Sequence, residues 1–220
     1  MKKSFIIQGI CMSKATLIWA IFFAFATGAF SDVFWTGSTS SEWSDAANWS
    51  GGAPSEAGTG NAIVNQGGLH VAPIVSTADN TTAGEVYIGV GARLTVVDGG
   101  GLTAKSLVTG NWGDCAPVNI TGGSLTITDT LNMGAGGCDG DVNISGGTVT
   151  AANLSINATR GATLDISGDG RFVAPLSNLE NIKYWISHGV ITANGKAGGS
   201  SVNVDTTTSE GNVVLSAVSA

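Results

Sequence analysis

Apolar and polar positions alternate along this chain in short bursts, and one burst returns at an almost fixed spacing. It reads Leu94-Thr-Val-Val-Asp-Gly-Gly, Val118-Asn-Ile-Thr-Gly-Gly, Val142-Asn-Ile-Ser-Gly-Gly and Leu164-Asp-Ile-Ser-Gly-Asp, with starts 24, 24 and 22 residues apart. Strict alternation marks a strand with one buried face, and Gly, Asp or Asn between bursts marks a turn. Two further alternating segments complete each repeat. Ser124-Leu-Thr-Ile and Thr130-Leu-Asn-Met follow Val118; Thr148-Val-Thr-Ala and Asn153-Leu-Ser-Ile follow Val142. Helical periodicity is nearly absent.

The alternation assigns faces. Val118, Ile120, Leu125, Ile127, Leu131 and Met133 point inward, as do Val142, Ile144, Val149, Leu154 and Ile156 one repeat later, and Leu94, Val96, Leu102 and Leu107 one repeat earlier. Asn119, Asn143 and Asp165 then form one outward column, and Thr103, Thr126 and Thr150 another. One repeat alone cannot bury its apolar face, whereas like stacked on like makes a continuous core. The fold class expected is all-β: a single-stranded parallel β-helix, a right-handed solenoid of 22–24 residues and three short strands per coil, with irregular N- and C-terminal caps. Up-and-down hairpins around the Gly-Gly turns compete, but do not explain a register kept over four repeats.

The repeat loosens at both ends. Asn61-Ala-Ile-Val, Leu69-His-Val and Glu85-Val-Tyr-Ile-Gly read as the three segments of a degenerate first coil, with an insertion around Ser76–Thr82. After Phe172 the pattern dissolves; Leu179–Ile186 reads as a short helix or irregular turn, and Val190-Ile-Thr-Ala, Val202-Asn-Val-Asp and Val213-Val-Leu-Ser-Ala as closing strands. Lys2, Lys3 and Lys14 precede an apolar run from Ala15 to Ala26, the layout of a secretory signal peptide with cleavage after Ser31 or near Ala29. The expected organisation is a signal peptide over 1–31, a Trp-rich N-terminal cap over 32–60, repeats over 61–175 and a C-terminal cap over 176–220.

Export alters the charge. All three signal lysines leave and all sixteen acidic residues stay, so the exported chain carries −10. An acidic chain without a basic stripe is a poor partner for nucleic acid. No second apolar run is long enough to span a membrane, so a secreted or cell-surface protein without a membrane span is expected. Cys115 precedes Val118 by three residues and Cys138 precedes Val142 by four, which puts both at nearly the same place on successive repeats. Stacked strands lie about 4.8 Å apart, within reach of a disulfide. A structural Cys115–Cys138 disulfide suits an oxidising compartment, two buried free thiols being the other reading. Neither His70 nor His188 is placed by the repeat to join them around a metal.

The segment after the signal reads Phe34-Trp35-Thr-Gly, then Glu42-Trp43-Ser-Asp-Ala-Ala-Asn48-Trp49-Ser-Gly-Gly-Ala-Pro54. With the Gly-Gly-punctuated repeats, it resembles the Trp-x-Gly…Asn-Trp lead-in of secreted bacterial β-solenoid proteins of the autotransporter-passenger and PEP-CTERM-associated type. That resemblance implies a surface structural module and brings no catalytic residue set. The plain reading of Trp35, Trp43 and Trp49 is a cap over the first coil; a sugar-stacking platform is the functional one.

Candidate chemistry is thin. Asp114, Asp139 and Asp141 fall on successive loops, with Trp112 beside them as the best ligand-facing aromatic. A calcium ion needs more hard oxygens than these supply, and solvated turn aspartates are the simpler reading. A lyase also needs a base and a nearby cation, but Arg160 and Arg171 fall on later turns. A hydrolase needs two facing carboxylates, whereas Asp165 and Asp169 adjoin turn glycines. Serines and threonines lack a His-Asp set. The threonine column is too narrow for an ice- or mineral-binding face, and the Asn-x-Ser/Thr triplets at Asn119, Asn143, Asn153 and Asn157 follow from the ladder itself. No enzyme, cofactor or metal is therefore expected. The reading is a non-catalytic structural and interaction module whose partner is an extracellular glycan or cell-surface component. A carbohydrate-binding or polysaccharide-modifying exoprotein using the lateral face, with Trp112, Asp114, Asp139 and Asp141 facing the ligand, is the alternative.

Overall fold

The computed structural model describes residues 31–55, 60–65, 71–77, 79–89, 91–111, 117–197 and 201–218. A boundary between two units falls between Phe30 and Ser31, and only the second is described. The proposed signal segment, Leu69, His70, Trp112, Asp114 and Cys115 thus lie outside the described residues. Among the described residues no helix is long and apolar enough to cross a membrane.

The chain is mostly β. Its strands are β1 (Val33–Phe34), β2 (Ala62–Asn65), β3 (Ile74–Val75), β4 (Asn80–Gly89), β5 (Leu94–Val96), β6 (Gly101–Asn111), β7 (Val118–Met133), β8 (Val142–Ile156), β9 (Leu164–Ile166) and β10 (Arg171–Pro175). A helix α1 (Leu179–Ser187) and strands β11 (Ile191–Ala193), β12 (Val202–Asp205) and β13 (Asn212–Ala217) follow. Parallel pairing joins β1-β2-β4-β6-β7-β8-β10, after which β13 and β12 add antiparallel. A second parallel line runs β3-β5-β7-β8-β9-β11. The sheet is therefore mixed.

Register follows the repeat. Leu94, Val118, Val142, Leu164 and Ile191 are successive partners, and all five are fully buried. Leu102, Leu125, Val149 and Phe172 form a second buried column, and Val86, Leu107, Leu131 and Leu154 a third. Burying each such side chain stabilises by about 1.5–3 kcal/mol relative to exposure. Every residue assigned inward by alternation is buried.

The corners differ from the expectation of three separate short strands. In the two central repeats each chain segment is one strand, of 16 and 15 residues. The corners appear within it as register shifts at Ile120/Thr121, Thr121/Ser124 and Ile127/Thr130. Glycine is required there for two reasons. Gly123 has φ +63°, and a Cβ on it would run into the carbonyl of Gly100 in the preceding repeat; Gly147, at φ +67°, stands in the same relation to Gly123. The left-handed conformation and the close stacking both exclude a side chain.

The first coil needs correction. Ala62–Asn65 and Glu85–Gly89 are not successive segments of one coil, because Ala62 pairs with Val86 and Ile63 with Tyr87, in parallel. They are the same segment in consecutive coils. Ile74–Val75 pairs with Thr95–Val96, and Asn80–Ala83 with Gly101–Ala104, so the supposed insertion around Ser76–Thr82 is a corner plus a regular strand. The pattern also outlasts Phe172, since Ile191–Ala193 pairs with Leu164–Ile166. The far end closes differently. Helix α1 buries Ile182 and Ile186, one turn apart, against the core, and β13 takes the outer edge of β10.

Candidate functional site

Four places hold side chains with chemistry to offer, and the N-terminal aromatic cluster is the most tightly built. Trp35, Trp43 and Trp49 are all buried. The ring of Trp49 meets Trp35 edge-on at 5.1 Å and Trp43 at 4.8 Å. Its indole N–H donates to the Trp43 carbonyl (2.8 Å), and that of Trp35 to the Val71 carbonyl (2.7 Å). No broad ring face is left outward, so these three do not form a sugar platform.

Asn48, fully buried between them, holds the segment together. Its Oδ1 accepts the N–H of Thr39 (3.0 Å), the N–H of Ser40 (3.0 Å) and the Thr39 hydroxyl (2.8 Å). Its Nδ2 donates to Ser40 Oγ (2.9 Å) and the Glu42 carbonyl (3.0 Å). Asp45 begins the short 3-10 turn Ala46–Asn48 by accepting the Ala47 N–H, and the Thr39 hydroxyl, then that N–H, hold its carboxyl below the ordinary range. Sequence reasoning missed this polar core. It also missed Asp79, buried, which accepts the N–H of Ser44 (3.2 Å) and Ser76 (2.7 Å) while Ser76 Oγ donates to Glu42 (2.7 Å).

The second place is the loop between β7 and β8. Ala135 N–H donates to Thr109 O (3.1 Å), Gly136 and Gly137 N–H to Gly110 O (both 3.0 Å), and Thr109 Oγ1 to Gly140 O (2.6 Å). The loop thus lies back over the previous repeat. Asp139 is exposed and accepts only its neighbour's N–H, from Gly140 at 3.2 Å. Asp141 reaches forward instead, its Oδ1 accepting both the N–H and the hydroxyl of Thr163 at 2.8 Å. These two carboxylates serve different turns. Among the described residues no group of three or more His, Cys, Asp or Glu is placed to hold a metal ion. Cys138 is not a free thiol.

The lateral columns form the third place. Asn143 Nδ2 donates to Asn119 Oδ1 (3.1 Å), Asp165 stands next in register, and its Oδ1 accepts Thr192 Oγ1 (2.6 Å) and the Gly195 N–H (2.9 Å). The threonine column gains Thr82, which pairs with Thr103, and ends where Thr150 meets Val173. Asp169, Arg160 and Arg171 are exposed, and the ion pair among the described residues is Lys183–Glu180 on α1 (2.9 Å). Tyr87 donates its hydroxyl to Glu85 (2.7 Å); that bond, then burial and the carboxylate charge, push the phenol up to about 12.

The fourth is an open hollow of about 250 Å³ at the C-terminal end, lined by Lys183, Ile186, Ser187, Val202 and Val204. Beside it Tyr184 stacks on His188 at 4.0 Å, and His188 Nδ1 lies 2.8 Å from the Tyr184 carbonyl, which fixes the proton on Nδ1. No protein family, curated protein or solved structure matches the chain.

Proposed function

We propose that this chain is an exported, non-catalytic β-solenoid that serves as a structural and interaction module outside the cell or at its surface. The coil is right-handed, of 22–24 residues, and its lateral faces carry whatever the protein binds, an extracellular glycan or a cell-surface component. The single observation behind this reading is the register. Equivalent residues stay partnered from Leu94 through Ile191, with the apolar set inside and Asn, Thr and Asp outside. Polar side chains on those faces bond to the next repeat, as Asn143 does to Asn119 and Asp141 to Thr163, which spends them on cohesion and leaves no convergent acid–base pair. Pairing of Cys138 with Cys115 ties the loop to the previous repeat.

The test is a glycan array with the exported chain and its Trp112→Ala variant, run beside a polysaccharide-cleavage screen. Cleavage of any glycan, or specific binding abolished by Trp112→Ala, overturns the reading in favour of a carbohydrate-directed exoprotein. Thiol labelling of the unfolded, unreduced chain tests the disulfide, which fails if both Cys115 and Cys138 are modified.

A further inference from the structure

Large exposed hydrophobic side chains are confined to the two ends among the described residues. Phe34 and Val71 lie at the N-terminal end, and Leu176, Tyr184 and Val218 at the C-terminal end; the repeats between present none. The two ends differ in their backbone. At the N-terminal end the sheet edge is covered, because Phe34 N–H donates to Ser50 Oγ (2.9 Å), Ser50 N–H donates to Phe34 O (2.9 Å) and Trp35 bridges Trp49. At the C-terminal end β12 is the last strand, and among the described residues only β13 pairs with it.

Which groups of β12 face outward follows from one hydrogen bond. Val218 N–H donates to Ser201 O (2.9 Å), which makes Ser201 and Val218 a hydrogen-bonded pair of the antiparallel ladder. Bonded and non-bonded pairs alternate, so Asn203–Ser216 and Asp205–Val214 are the next bonded pairs. The N–H and C=O of Val202 and Val204 therefore point away from β13, along a free edge. No proline, lysine or bulge blunts it. The same two valines line the open hollow with Ile186.

We propose that this edge is where two copies of the chain join, β12 against β12, antiparallel about a two-fold axis at Asn203. Val202 then faces the partner's Val204, and each outward N–H and C=O of one strand meets its counterpart in the other. The valines lie on one side, so the two hollows merge into a single apolar strip between the α1 helices. The register is also compatible in charge. Asp205 falls opposite the partner's Ser201, and neutral Asn203 faces its own copy, so two chains of −10 charge meet with no like charges paired in the ladder. A second copy is favoured over a foreign peptide because the edge complements itself in both valines and charge. This inference stands apart from the lateral-face reading, which survives its failure.

The test is sedimentation velocity on the exported chain over a roughly hundredfold concentration range. The expected result is a monomer that becomes a dimer and goes no further. Val204→Pro removes an outward N–H without touching the bonds to β13, and weakens dimerisation at least about tenfold while thermal unfolding stays that of a folded chain. Asn203→Lys, at an exposed position, sets two lysines against each other on the axis and does the same. Asn203→Cys links two chains through its own copy on mild oxidation, whereas Ser216→Cys does not. A chain that stays monomeric throughout, a dimer unaffected by both Val204→Pro and Asn203→Lys, or assembly beyond a dimer overturns the proposal.

Discussion

The central repeats and the N-terminal segment bury their residues by opposite means. Between Leu94 and Ile166 the core is made of copies: one apolar column continues because each residue sits on its equivalent, and the polar Asn119–Asn143 contact is repeated on the outside. From Val33 to Asp79 nothing repeats. Three tryptophans at right angles fill the end, and a single asparagine satisfies the backbone that folds over them. A stack gains stability from series, so any one contact is shared out over neighbours. A cap has no neighbours on one side and must satisfy its polar groups individually.

The largest effect should come from a corner. Gly123→Ala forces a side chain into the Gly100 carbonyl and should cost about 4 kcal/mol or leave the chain insoluble. Gly52→Ala, at φ +92° in the N-terminal segment but with nothing within 4 Å, should cost only about 1–2 kcal/mol of backbone strain. Denaturant unfolding of the two variants makes the contrast, and equal losses would show that the repeats do not stack as tightly as described.

The same comparison can be made with one residue type. Asn48→Ala strands the buried N–H groups of Thr39 and Ser40 and should cost about 3 kcal/mol. Asn143→Ala removes one half-buried ladder bond, for about 1 kcal/mol. If Asn143→Ala proves the worse, the polar columns and not the apolar ones hold the repeats together.

Much of the middle was legible because periodicity carries it. The columns through Leu125, Leu131 and Val149 follow from alternation and a spacing of 24, and the threonine column fell short only by Thr82, which has no Gly-Gly ahead of it. The misplaced first coil has a physical reason. Ala62–Asn65 lacks the corner glycines that mark later coils, and only its distance of 24 residues from Val86 reveals its place. Asn48 and Asp79 could not be found this way, since their partners are backbone groups of a segment without period. The free edge of β12 was hidden too, because it depends on which way the last two strands pair.

A smaller effect lies where the two regions meet. Tyr87, beside Ile63, keeps its proton to a higher pH in the folded chain than in the unfolded one, because it donates to Glu85. Its contribution to stability is complete below the ordinary phenol range near 10 and is lost as pH rises towards 12. Tyr87→Phe should abolish that part of the alkaline loss in thermal unfolding. A variant that falls as steeply as the parent would remove Tyr87 from the account. At the other end Asp205, held below the ordinary carboxylate range by the Thr208 hydroxyl first and the Thr207 N–H next, contributes above about 3.8 and loses that contribution as pH falls further. Asp205→Asn should flatten the acid limb slightly.

Cross-linking across one repeat tests the parallel stack most directly. Asn119 and Asn143 are register partners 24 residues apart, on strands about 4.8 Å apart. With both changed to Cys, oxidation of the folded chain should join positions 119 and 143, seen by non-reducing peptide mapping, while the offset pair at 119 and 155 stays reduced. If instead 119 joins a cysteine placed at Thr126, within its own repeat, the chain folds as hairpins and the stack is wrong.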